Sequence, residues 1–169
     1  MSTAFQTIKQ EAGKVEPEDL AYYILAKLGV MDHLKLQKLL YYVQSWHLAI
    51  LGIPIFDEDF KAWVHGPVLT SVWHALKDHS KLNAKFKLNS ASVSKVIAKV
   101  EDCLQKDQVD VIADVLEEYG QRSGYHLECL THSEDPWKNA RGDLSPDAKS
   151  AARISKASMR KFYAARLTA

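Results

Sequence analysis

Residues 34–51, "LKLQKLLYYVQSWHLAIL", decide the fold. Leu36, Leu39, Leu40, Val43, Trp46, His47 and Ile50 recur at three-and-four spacing, which gathers them on one broad face of a helix. Lys35, Lys38, Tyr41, Gln44 and Ser45 fall toward the other face, and Gly52 with Pro54 ends the run. A face this wide needs neighbours on more than one side, so the helix is predicted to be the centre of the domain. The same stretch raises a membrane question, because residues 39–56 contain 18 positions without a formal charge, the lower limit for a span. Gln44, Ser45 and His47 interrupt it and Gly52 and Pro54 break its last third, so a buried amphipathic helix is the reading and no membrane partner is expected.

Working outward, Leu20, Ile24 and Leu28 recur at a spacing of four between Pro17 and Gly29, which predicts a helix over 17–29. C-terminal to the central helix, "DFKAWVH" alternates apolar and polar residues and reads as a strand. With "KFKLN" it predicts a short β-hairpin near residues 58–65 and 85–89. Gly66 turns the chain and Pro67 presets a helix start, after which Val68, Leu69, Val72, Trp73 and Leu76 form an apolar stripe to about His79. Ser90 or Ser92 caps a helix through Val93, Ile97, Val100 and Leu104. Further helices are expected over 109–119, in "GYHLECLTHS" (124–133) and over 155–167, with a turn at Pro136. No repeat, low-complexity tract or linker divides the chain. The expected fold class is therefore mainly α: one compact helical domain over 17–169 after an N-terminal extension, 1–16.

Composition narrows the function. Hydrophobic residues make up 47% of the 169, enough to build a core. Lys+Arg 22 against Asp+Glu 21 leaves a net charge of +1, so no whole-chain field draws the protein to nucleic acid or an anionic membrane. Cys103 and Cys129 lie 26 apart, without a CxxC, which argues against a zinc site and a disulfide framework and points to a reducing cytoplasm. The N-terminus lacks the basic start and apolar run of a secretory signal, so no export is expected.

Catalytic signatures are missing from the pattern. His74 and His79 are five apart and His126 and His132 six apart, neither the i, i+4 pair of an HExxH site, so no metal is expected. There is no GxSxG elbow and no GxxxxGK[ST] loop, and no cofactor is expected. Cys103 falls where a small apolar core role is the ordinary one. Arg153, Lys156, Arg160, Lys161 and Arg166 place positive charge on the last helix, but without a helix-turn-helix pattern a solvated face explains them, and nucleic acid is an improbable partner.

The densest stretch is "KAWVHGPVLTSVWHALK" (61–77), with two tryptophans, two histidines and a Gly-Pro break. Trp63 and Trp73 are expected to be mostly buried and to anchor a corner. His65 beside Gly66 and Pro67 stands at a surface, bordered by the polar groups Lys38, Tyr41 and Gln44, expected to be exposed. Residues 34–77 taken together resemble the signature region of the Panacea-domain family, which includes GepA-like phage-associated proteins and SocA-like antitoxins. "LTHSEDPWKNAR" (130–141) is similar to that family's T-H-x-x-x-P-W block, and "ISKASMRKFYAARL" (154–167) resembles its closing helix. The resemblance implies an antitoxin that neutralises a partner toxin by direct protein binding, in SocA-like members as an adaptor to a ClpXP-type protease, with no catalytic residues. Thr131, His132 and Trp137 are expected to pack beside the His65-Gly66-Pro67 corner and share its partner-binding role with Lys38, Tyr41 and Gln44. The competing reading is a small hydrolase or nucleotide-binding enzyme that uses His65 and His132.

Overall fold

The computed structural model describes residues 11–82 and 90–168. Helix α1 (Pro17–Leu28) carries Pro17 in its first turn, and Gly29 closes it at a φ of 89°, its N–H donating to Leu25 O. Helix α2 (His33–Leu51) starts one residue earlier than its pattern predicts, because the Asp32 side chain accepts from Lys35 N, and it stops at Gly52 in the left-handed region. Strands β1 (Phe60–Trp63) and β2 (Gly66–Val68) form a hairpin around Val64 and His65. Beyond them lie α3 (Thr70–Leu76), α4 (Ser90–Cys103), α5 (Lys106–Tyr119), α6 (Gly124–Ser133), α7 (Asp135–Arg141), β3 (Arg153–Ile154) and α8 (Lys156–Leu167). The domain is mainly α, with eight helices and one small sheet among the described residues.

α2 is the centre. It packs against α1, α5, α6, α8 and β2, and every residue from Leu36 to Ser45 is buried. Its expected polar face is therefore an error of the periodicity reading: Lys38 and Tyr41 are 0% exposed and Gln44 is 1% exposed. The cause is that irregular backbone on both sides needs hydrogen-bond partners, and α2 supplies them. Gln44 donates to Phe56 O and accepts from Ile55 N, each at 2.9 Å. Gln37, seven positions earlier and so on the same side, makes the equivalent pair with Leu69, donating at 3.2 Å and accepting at 2.8 Å. Lys38 donates to Pro67 O at 3.0 Å. Ile50, expected in the core, is 48% exposed.

The hairpin differs from expectation in its partner. β1 pairs antiparallel with β2, Ala62 opposite Pro67, and on its other side with β3, Phe60 opposite Ile154, in the order β2-β1-β3. The predicted partner at 85–89 lies outside the described residues. Pro67 does not start a helix; it sits in edge strand β2, a place that tolerates a missing N–H, and α3 begins at Thr70. Cys103 is exposed, not core, because α4 turns Val100 inward and Leu104 follows it. Of the segment expected as an extension, residues 11–16 lie on the domain: Val15 is buried and donates to Ile55 O, and Gly13 N donates to Gln108 Oε1. Residues 1–10 are outside the described set. No described helix is long and apolar enough to cross a membrane.

Candidate functional site

Two parts of the chain that are distant in sequence meet at the β1–β2 turn. Trp137, early in α7, donates from its indole to Trp63 O at 2.8 Å, and Arg141 donates to Ala62 O at 2.9 Å, so α7 hangs on the carbonyls of β1. Arg141 is buried yet well provided, with further donations to Ser145 O and Ala148 O and its guanidinium over the Trp137 ring. His132 stacks on Trp137, with centroids 4.0 Å apart. Gly66, at a φ of 103°, leaves no room for a side chain: an added Cβ would lie 2.4 Å from Lys38 Cε and 2.9 Å from Thr131 Oγ1. The structure thus brings His65, Gly66, Pro67, Thr131, His132, Trp137 and Lys38 together as one composite feature. Tyr41 and Gln44 do not belong to it.

Beside this feature opens a cavity of about 850 Å³, walled by α2 (His33, Leu34, Gln37, Lys38), the hairpin (Trp63 to His65, Val68), Trp73 of α3, Glu128 of α6 and the segment 149–151. Trp63 and Trp73 meet edge-to-face, with centroids 6.0 Å apart. Both are mostly buried, as expected, and the part of each that stays accessible forms the cavity wall.

The electrostatics centre on Lys38. Burial pushes its ammonium down from 10.5 to about 7, against the opposing pull of Glu128 and Asp32. Its hydrogen bond among the described residues is the one to Pro67 O. Glu128 is held at 2.7 Å by Nδ1 of His65, whose side chain is 75% exposed, at the cavity mouth. Burial lowers the His132 pKa, with Lys38 and His65 adding to the effect, and its Nε2 is buried without a hydrogen-bond partner. Among the described residues, no three His, Cys, Asp or Glu side chains gather as a metal set.

Compared with known proteins, residues 36–138 match the family described as antitoxin SocA-like, Panacea domain. The chain belongs to that family. Antitoxin SocA of Caulobacter vibrioides (strain NA1000 / CB15N) is 27% identical over 139 residues, covering 77% of this chain and 72% of the relative. No solved structure matches the chain. The Panacea match spans the central helix, the hairpin and the T-H…P-W block, and so every residue of the composite feature. It leaves outside two parts of the cavity wall, His33 with Leu34 and the segment 149–151.

Those outer parts, with Gln37, Val68 and Glu128, are the wall residues that motif reading missed. Glu128 carried a signal, since it stands three and four positions before Thr131 and His132 and so shares their helical face. Residues 149–151 carried none, because a segment without periodicity does not announce what it packs against.

Proposed function

We propose that this Panacea-domain protein is an antitoxin that neutralises a partner toxin by direct protein binding, without catalysis, and that it acts in the cytoplasm. The contact face is the composite corner with the cavity mouth: Trp63, His65, Trp73 and the rim of α6. The observation that carries this reading is the folding of the two signature blocks onto each other, Trp137 on Trp63 O and Thr131 against Gly66, beside a tryptophan pair that lines the cavity. Rigid aromatics at a concave edge give large contact area at low entropic cost, the usual build of an interface centre. The relative's name, Antitoxin SocA, supports the role. Delivery of the toxin to a ClpXP-type protease is the finer proposal, and simple occlusion its competitor.

The test is co-expression with the product of the adjacent reading frame, scored by growth. Rescue by the wild type, lost when His65→Ala is combined with Tyr125→Ala at normal expression, supports the assignment. Tyr125 stands one turn before Glu128 on the same side of α6, and both side chains are exposed, so the fold should survive. Full rescue by the double variant moves the interface elsewhere. A toxin half-life that is unchanged on removing the protease's unfoldase selects occlusion over delivery.

One observation favours the enzymatic reading, the His65–Glu128 pair at 2.7 Å, an imidazole oriented by a carboxylate. His132 does not complete it, because its Nε2 is buried and partnerless while its ring stacks on Trp137. Turnover of any ester or nucleotide by pure protein, abolished by His65→Ala, would revive that reading.

A further inference from the structure

The cavity has a composition that protein–protein contact does not require. Its volume, about 850 Å³, is several times that of any one side chain and lies within the range of small-molecule sites. Its walls come from five separated parts of the chain, which makes a concavity and not a flat face. Leu34, Trp63, Val64, Val68 and Trp73 make most of it apolar. At its polar side stands Lys38, a buried amine with one carbonyl acceptor, where Arg141 has several and the buried Glu134 is met by two tyrosine hydroxyls. An ammonium carries three donors, so Lys38 has hydrogen-bonding capacity that the fold leaves unused.

Two lysines face this cavity against one acid in its wall, with Asp32 acting on Lys38 from outside it. Lys38 from α2 and Lys149 from the segment before β3 line it, and neither has an ion pair within 4 Å among those described. The one acid in its wall, Glu128, is already engaged by His65. His33 is occupied by His79 O at 2.5 Å, and Gln37 by the Leu69 backbone.

We infer that the cavity is a binding site for a small aromatic carboxylate, its ring against Trp63 and Trp73 and its carboxylate turned toward Lys38. This goes beyond the antitoxin reading and stands without it, since the ligand is a free small molecule and its binding needs no toxin. Burial pushes the Lys38 pKa down to about 7 against the pull of Glu128 on α6 and Asp32 before α2, with His132 of α6 also facing it. The carboxylate therefore binds tightly below that pH and weakens as the pH rises past it.

The experiment uses the purified full chain and two matched probes, indole-3-acetate and its neutral isostere indole-3-acetamide, followed by calorimetry and by tryptophan fluorescence. The expected result is one-to-one binding of the acetate, on the order of tenfold tighter than the amide at pH 6, with the difference shrinking by pH 8.5. Lys38→Met keeps the side-chain stem and should reduce acetate binding to the level of the amide. Equal affinity for both probes in the wild type, or no binding of either at millimolar concentration, overturns the assignment without needing any variant to fold. Failure of both probes while the toxin shields the tryptophans assigns the cavity to the toxin, which refutes this inference and leaves the antitoxin reading standing. Toxin rescue that fails while the acetate binds does the reverse.

Discussion

Two regions flank α2 and treat buried polar groups in opposite ways. Between α2, α7 and α8, Glu134 is buried at the joint of α6 and α7 and accepts from Tyr42 at 2.6 Å and Tyr163 at 3.0 Å. Tyr163 lies 3.2 Å from the Tyr41 hydroxyl, Tyr42 stacks on Tyr119 at 4.2 Å, and Trp46 donates to Tyr119 Oη. Each group there meets another, and the aromatic edges fill the space. On the cavity side, Lys38 is as deeply buried but has one acceptor and open volume in front of it. Desolvation is opposed by two hydroxyl donors to Glu134 in the first region and by a single carbonyl acceptor for Lys38 in the second. The difference teaches where binding free energy remains to be gained: at the under-partnered amine, not in the closed cluster.

The comparison is broken most severely by removing what both regions share. Leu40 is fully buried on α2, and Leu40→Ala should cost about 2 to 5 kcal/mol in chemical denaturation. A loss below about 0.5 kcal/mol would show that α2 is not central.

Lys38 comes next. The unfolded chain keeps this proton to about 10.5 and the folded chain only to about 7, so between those values the unfolded state binds more protons and stability rises with pH. The rise is at most about 1.4 kcal/mol per pH unit. Lys38→Met should abolish it and leave stability at pH 7 equal or higher, as measured by denaturation at a series of pH values. A wild-type profile flat over that window would place the amine in water.

Gly66→Ala should cost roughly 1 to 3 kcal/mol, since it adds a side chain at a φ of 103° and drives a Cβ into Lys38 Cε and Thr131. Calorimetric unfolding would read it, and a neutral result would mean that hairpin and α6 are not in contact.

Glu134 sharpens the closed side. Burial raises its pKa above the ordinary 4.5, with the two tyrosine hydroxyls opposing. The folded chain thus holds this proton to higher pH than the unfolded one. The stability it contributes is present below pH 4.5 and lost as pH rises through the folded value. Glu134→Gln should flatten that part of the profile, with a change on the order of 1 kcal/mol. The smallest effect is expected for His65→Ala, within about 0.5 kcal/mol in stability, because its side chain is 75% exposed. A larger loss would make the His65–Glu128 pair structural and remove it from the contact face.

The sequence by itself determined the helices other than α7 (Asp135–Arg141), which it showed only as a turn at Pro136, and the two signature blocks. Pro17 and Gly29 bracket α1, Gly52 stops α2, and periods near 3.6 mark the helices, because start, stop and amphipathicity are local properties of the backbone and its neighbours. It also determined that the blocks at 61–77 and 130–141 belong to one feature, through resemblance. Only the tertiary structure decided which side of each residue meets protein. Lys38, Tyr41 and Gln44 sit where periodicity places solvent, yet Gln44 is engaged by the backbone of residues 55–56, Lys38 by one carbonyl at residue 67, and Tyr41 by aromatics from β1 and α8. A helix's period states the direction in which a side chain points and nothing about what arrives there. The placing of Trp63 and Trp73 in a cavity wall, the strand partners of β1 and the cavity itself all depend on contacts between residues far apart in the chain. Such contacts form only when the whole core closes, and a local pattern does not contain them.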